Sequence, residues 1–213
     1  MTGGTALPDG LVRIERKDVP PITVAPLGNP RIDKHLVEVV LAKVMPTAIV
    51  LVPKSGHYDW DARELAMASG STILTVKELY TFMDAADPRP FLDKNVAYNR
   101  ERLEQHSRVV ECHMICEGSM RLRREGSLSD VVVAIEYEYE YEYEFSEEAT
   151  VRAISRHPDT DIVLNANPNG SATTAAYSHA RDAQVPIYKI GELMGALNYD
   201  GDQLRNYDPS KRC

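Results

Sequence analysis

Two stretches of this 213-residue chain, about 113 residues apart, carry the same order of strand, loop and helix, and few folds are open to a chain written twice in this way. The first copy runs Ala48-Ile-Val-Leu-Val-Pro-Lys54, a loop, Ala62-Arg-Glu-Leu-Ala66, Ser71-Thr-Ile-Leu-Thr75 and Lys77-Glu-Leu-Tyr-Thr-Phe-Met83. The second runs Asp161-Ile-Val-Leu-Asn-Ala-Asn167, a loop, Ala176-Tyr-Ser-His-Ala180, Val185-Pro-Ile-Tyr-Lys189 and Gly191-Glu-Leu-Met-Gly-Ala-Leu197. Ile49-Val50-Leu51 aligns with Ile162-Val163-Leu164, and Glu78-Leu79 with Glu192-Leu193. Short, wholly apolar runs of this kind are strands buried on both faces. The expectation is an α/β fold with a mostly parallel sheet and an internally duplicated, Rossmann-like βαβα unit. Two equivalent loops then fall at the carboxyl edge of a sheet, where α/β proteins bind ligands.

The length suits one large domain or two small lobes. Residues 1–20, with Gly3, Gly4, Pro8, Gly10 and Pro20, read as a flexible N-terminal arm. A first α/β lobe covers 21–87 and includes a helix over roughly 31–45, where Leu36, Val37, Val40, Leu41 and Val44 recur at helical spacing. The break Ala85-Ala-Asp-Pro-Arg-Pro90 leads to a connector helix within 88–107. A second α/β lobe spans 108–198, opening on a strand over Val109–Leu122 that Gly118 interrupts, and 199–213 is a polar tail.

Several classes are disfavoured. No run of 18 apolar residues exists to span a membrane, and no secretory signal is visible. Cys112, Cys116 and Cys213 are too few for a disulfide framework, so a cytoplasmic location is expected. The net charge of −8 does not favour nucleic acid as a partner, although it does not forbid a local basic face. Arg121, Arg123 and Arg124 are the densest basic cluster, read as a solvated rim in loop-like sequence. There is no GxGxxG, Walker loop or GxSxG elbow. Cys112-His113-x-x-Cys116 has metal-compatible atoms, but no second ligand pair, and strand alternation turns His113 away from the cysteines. No metal site is assigned.

From Val131 to Phe145 the odd positions are apolar or aromatic, and the even positions become Glu136, Glu138, Glu140, Glu142 and Glu144. Strict period two predicts one strand with a packed face and an acidic face. Fifteen residues would reach about 50 Å, more than an ordinary sheet needs. An overhanging tyrosine face predicts a homo-oligomer made through the 131–145 strand, the basis for a third reading as a non-catalytic self-assembling protein. The plainer alternative is a repeat expansion that lengthened a loop.

The loop Asn165-Ala-Asn-Pro-Asn-Gly-Ser-Ala-Thr-Thr174 follows one buried strand and precedes a helix. Gly170 permits close backbone approach, the helix start offers free N–H groups, and Ser171, Thr173 and Thr174 add hydroxyls around Asn165, Asn167 and Asn169, a set that suits an anion. A turn with an ordinary N-cap would use the same residues. Its counterpart, Lys54-Ser-Gly-His-Tyr-Asp-Trp-Asp61, brings a cation, an imidazole and two carboxylates, with Lys54, Ser55, His57 and Asp59 as candidates. Unlike residues on two like loops suit one asymmetric ligand, and the leading expectation is binding of a nucleotide or other small phosphorylated ligand.

The order strand (Ile135-Glu-Tyr-Glu138), helix (149–157), strand (162–165), Ala-rich helix (175–183), strand (185–189) and Glu-Leu helix (191–197) resembles the core of Mrr-type restriction-endonuclease-like domains over about 65 residues. That resemblance implies a metal-dependent nuclease, or its inactive relative, using Mg²⁺. In that family an acidic residue precedes a strand carrying Glu or Gln, one residue, then Lys. Asp130 and Glu136 stand for the acids, while Glu138 occupies the place of the lysine. The five residues between Asp130 and Glu136 leave no room for the family's hairpin.

Overall fold

The computed structural model describes residues 4–54, 56–83, 87, 91–137 and 144–211. Ser55, Glu138 and the tyrosines at 139, 141 and 143 therefore lie outside the described residues. The chain divides into two compact units, Met1–Asp93 and Lys94–Cys213. Together the described residues form 14 strands and 8 helices.

In the first unit the strands are β1 (Gly4–Ala6), β2 (Val12–Ile14), β3 (Ile22–Leu27), β4 (Arg31–Ile32), β5 (Ala48–Leu51), β6 (His57–Tyr58) and β7 (Ile73–Thr75). Helix α1 (Lys34–Leu41) precedes β5, α2 (Trp60–Ala68) precedes β7, and α3 (Val76–Phe82) follows it. The main sheet has the order β1-β2-β3-β5-β7, and β4 pairs with β6 beside it. β1, β2 and β3 pair antiparallel, whereas β3, β5 and β7 pair parallel. Residues 4–14, expected as an arm, supply the edge strand β1 and its neighbour β2, joined through Gly10 at φ +82°.

The second unit opens with α4 (Lys94–Glu104), expected as a connector, which packs on β8 (Val109–Cys116). There follow β9 (Ser119–Arg124), β10 (Val131–Glu136), β11 (Glu144–Phe145), α5 (Glu147–Ser155), β12 (Ile162–Asn165), β13 (Ser171–Ala172), α6 (Thr174–Asp182), β14 (Ile187–Tyr188), α7 (Ile190–Ala196) and α8 (Gly201–Arg205). The order is β14-β12-β10-β9-β8, with β11 paired to β13 at its side. Again three strands pair antiparallel and three parallel. Both sheets are thus mixed, correcting the expectation of a mostly parallel one. The reason is connection length: tight turns join only antiparallel neighbours, and the parallel pairs need a crossover helix.

Two expectations about β8 to β11 are corrected. Val109–Leu122 is a hairpin, because Gly118 at φ +69° turns the chain, and a Cβ there would lie 2.8 Å from an Arg156 guanidinium nitrogen. The segment 131–145 does not form one long strand. β10 stops at Glu136 with all six residues buried, and Glu144–Phe145 belongs to a different sheet. Parallel pairing to β12 on one side and antiparallel pairing to β9 on the other enclose β10, so its alternation does not yield a wet face.

The elements form for local reasons that recur between the units. Asp33, Ser146 and Thr173 cap α1, α5 and α6 by accepting N–H groups from Leu36, Ala149 and Ala176. Glu78 and Glu192 each reach back from the third helical position to the backbone N–H of Thr75 and Lys189, both at 2.8 Å. From β5 and β12 onward the corresponding elements start 114 residues apart: 48 and 162, 60 and 174, 76 and 190. Alanines let helices settle closely on the sheet. In the second unit Ala149, Ala153, Ala176 and Ala180 of α5 and α6 pack over Ala134, Val163 and Ile187. In the first, Ala62 and Ala66 lie over Ile49, Leu51 and Ile73, while Phe82 covers Val24, Val50 and Leu74.

A candidate ligand site at the carboxyl edge of the second sheet

Parallel strands end in a row at their carboxyl edge, and the chemistry of that row differs between the units. In the second unit Glu136 pairs with Asn165, and Lys189 follows Tyr188, the partner of Leu164, just as Asn165 follows Leu164. Neighbouring strands lie about 4.8 Å apart. Acid, amide and lysine therefore stand side by side. In the first unit the corresponding row is Leu27, Leu51 and Thr75.

Glu136 is only 7% exposed and is bound by two guanidiniums. Arg156 donates to one carboxylate oxygen at 2.5 Å and Arg152 to the other at 3.1 Å. Arg156 also donates to the carbonyl of Ile135. Burial opposes the charge of Arg156, but the Glu136 and Glu117 carboxylates outweigh it and hold its pKa above the ordinary value. One carboxylate between two arginines leaves a net positive charge on this trio. Arg152 also approaches Glu148 at 3.8 Å.

The Asn165–Thr174 loop is folded by its own asparagines. Asn165 is buried; its Nδ2 donates to the Gly170 carbonyl at 3.2 Å and its Oδ1 accepts from the Asn167 N–H at 3.0 Å. Asn167 Oδ1 accepts from the Asn169 N–H at 3.1 Å. A Cβ at Gly170 would come within 2.8 Å of the Asn167 side chain, so the close approach this glycine serves is to its own loop. Ser171 and Ala172 pair with Glu144 and Phe145, and Thr173 spends its hydroxyl on the cap. What stays available is the hydroxyl of exposed Thr174, the side chains of Ser171 and Asn169, and the Thr174 and Ala175 N–H groups, which have no intrahelical acceptor. Lys189 is half-buried at the same sheet edge, next to Asn165, with no ion pair among the described residues.

In the first unit two of the candidate residues, His57 and Asp59, are engaged by the fold. Asp59, at the start of α2, takes both the Nε and the Nη2 of Arg31, the latter at 2.6 Å. His57 sits in β6, donating its N–H to the Pro30 carbonyl, and Lys54 lies exposed in a turn. Beneath them, buried Arg63 donates to the Tyr58 hydroxyl at 2.7 Å and to the Phe91 carbonyl, and its guanidinium lies 5.0 Å from the Trp60 ring centroid. The Tyr58 hydroxyl donates to Glu78, whose pKa burial raises.

For the nuclease set, Asp130 stands just before β10 and Glu136 ends it, about 20 Å apart at ~3.3 Å per residue. They do not meet at one cation, and both Glu136 oxygens already face arginines. Among the described residues no three His, Cys, Asp or Glu side chains gather as a metal site requires. Of the expected basic cluster, Arg124 is fully buried; it donates to the carbonyls of Ser129, Leu197 and Tyr199 and pairs with Asp200 at 2.8 Å. That clamp, with buried Leu204 of α8, makes 197–205 part of the unit. Among the described residues no helix is long and apolar enough to cross a membrane.

Sequence reasoning missed Arg152, Arg156 and Lys189. The signals were present: two arginines four apart on the helix after Glu136, and a lysine directly after a short buried strand. Comparison with protein-family models, with curated proteins and with solved structures finds no match.

Proposed function

We propose that the protein binds a small phosphorylated ligand at the carboxyl edge of its second sheet. The observation that carries this reading is the contrast between rows: Glu136, Asn165 and Lys189 in one unit, Leu27, Leu51 and Thr75 in the other. A carboxyl-edge row that was only structural would tolerate uncharged residues such as Leu27, Leu51 and the helix-capping Thr75 of the first unit. Lys189 supplies a point charge, while Thr174, Ser171 and the first N–H groups of α6 supply directed donors. The Asn-folded loop holds these donors before any ligand arrives, which lowers the entropic cost of binding. This reading treats the two units as copies of one ancestral unit, supported by the 114-residue offset from β5 and β12 onward and the shared strand order. It assigns the ligand to the second unit alone.

A thermal melt of the full chain with inorganic phosphate, ribose 5-phosphate and AMP tests it. A ligand at 100 times its Kd adds about 2.7 kcal/mol to the native state. That should raise the Tm by several degrees, on the order of 2–4 °C per kcal/mol. Lys189→Ala should abolish the shift while keeping the unliganded Tm within about 2 °C, since half-exposed lysines contribute little to stability. No shift with any of the three probes would remove the proposal.

A further inference from the structure

We propose that two copies of this chain pair through β8, edge to edge and antiparallel, so that the second sheet continues from one copy into the other. β8 ends the strand order β14-β12-β10-β9-β8, so one side of it has no neighbouring strand. It is eight residues long, whereas the other ends of the two main sheets, β1, β7 and β14, have three, three and two. Its counterpart by strand order is β1, so the fold itself does not require a long strand in this place. Natural sheet edges are kept short, or carry lysine or proline, because their free N–H and C=O groups pair with any strand that reaches them. β8 contains neither lysine nor proline. Among the described residues, no group outside β9 hydrogen-bonds to the backbone of residues 110–115. Register shifts at Val109/Glu111 and Met114/Cys116 confine the regular part of the strand to Glu111–Met114.

A second copy fits because the regular part is its own complement. Side-chain alternation permits only registers that differ by two residues. A two-fold axis at Cys112 sets Glu111 against His113 of the second copy, and His113 against the Glu111 of that copy. Moving the axis to residue 111 brings two Glu111 carboxylates together. Moving it to residue 113 sets imidazole on imidazole and leaves Glu111 facing Ile115. Opposite charges across a strand pair attract and like charges repel, which selects the axis at Cys112. Neighbours on β9 extend the pattern: Arg123 donates to Glu111 at 3.1 Å, and Arg121 stands opposite His113. Each Glu111 carboxylate then lies between its own Arg123 and an imidazole of the second copy, which presents an N–H whether neutral or charged. All four side chains are exposed, since α5 and α6 cover this face over Ala134 and Val163 but not over β8 and β9. On the opposite face Cys112 meets its own copy; burial pushes this thiol up to about 12, so the two meet uncharged. Val110, 52% exposed, flanks the pairing at each end.

So short a pairing buries less than the ~800 Å² per partner of a standard interface, so a micromolar dimer is expected. Sedimentation velocity of the full chain across the micromolar range should show a monomer–dimer equilibrium. Glu111→Lys and, separately, His113→Glu should each weaken the dimer about tenfold, because an attraction becomes a repulsion at two symmetric places. Glu111→Lys combined with His113→Glu should restore the original dissociation constant, since the same opposition returns with its signs exchanged. Exposed ion pairs contribute little to stability, so all three variants should fold, which circular dichroism checks. A chain that stays monomeric throughout would overturn the proposal. So would a dimer that either single substitution leaves unchanged, or a double substitution no tighter than the singles.

Discussion

Gly70 and Gln184 end α2 and α6 in the same left-handed conformation, at φ +84° and +58°. In each case the next residue donates its N–H across the helix end at 2.9 Å, Ser71 to Ala66 and Val185 to Ala180. Glycine enters that conformation without strain, whereas a residue with a Cβ does so at a cost of about 1–2 kcal/mol. Gln184→Gly should therefore stabilise the protein by ~0.5–1 kcal/mol once the added freedom of the unfolded chain is subtracted, read as a higher urea midpoint at unchanged slope. His106 predicts a pH dependence. Its Nδ1 accepts the Arg108 N–H and its Nε2 donates to the Met194 carbonyl, so the ring is held neutral, and burial lowers its pKa below 6.5. Below pH 6.5 the unfolded chain takes up a proton that the folded ring refuses. Stability should thus fall as pH drops from 6.5 toward the lowered folded value, and His106→Asn should flatten that part of the profile. A slope that persists in the variant would assign the loss to another group. Residues of this kind differ in how far the sequence betrays them. Glu78 and Glu192 were visible as a repeated Glu-Leu pair, and the structure supplies the reason, a carboxylate returning to its own N-cap. Glu136 was read as wet because alternation describes one strand, and its burial follows from strands and arginines that arrive from elsewhere in the chain.

At the scale of elements, the parallel core was legible because buried strands and alanine-rich helices have short-range signatures. The antiparallel half was not, since Gly10 and Gly118 set hairpins whose partners the apolar pattern does not name. The Tyr/Glu repeat misled for a related reason: period two is a property of any alternating sequence, whether or not a sheet is there to receive it. Counting clarifies its place. Seven residues, 137–143, separate β10 from β11, where three, 28–30, separate β3 from β4. The difference of four is two Tyr-Glu dipeptides. Because loop closure depends only logarithmically on length, deleting residues 138–141 should change stability by less than about 1 kcal/mol. Chemical denaturation checks this; a loss of several kcal/mol would mean that the repeat is integral to the fold of the second unit.

At the scale of the molecule, two units share strand order, pairing sense and cap chemistry, yet differ at the one edge where α/β sheets bind ligands. The first fills its row with Leu27, Leu51 and Thr75 and binds its candidate loop residues to Arg31 and to the network around Arg63. In the second the row is Glu136, Asn165 and Lys189, and the proposed reading gives Lys189 and the N-terminal turn of α6 to an incoming group. Sequence reasoning reached the edge and both loops but had one ligand shared between them, since the arginines and the tyrosine that tie up the first loop are known only from contacts. Stoichiometry tests the resulting account most directly. Calorimetric titration of AMP into the full chain should give one site per chain, lost in Lys189→Ala and unchanged in Asp59→Ala. Two equivalent sites per chain, loss of binding in Asp59→Ala, or no heat at all would contradict it.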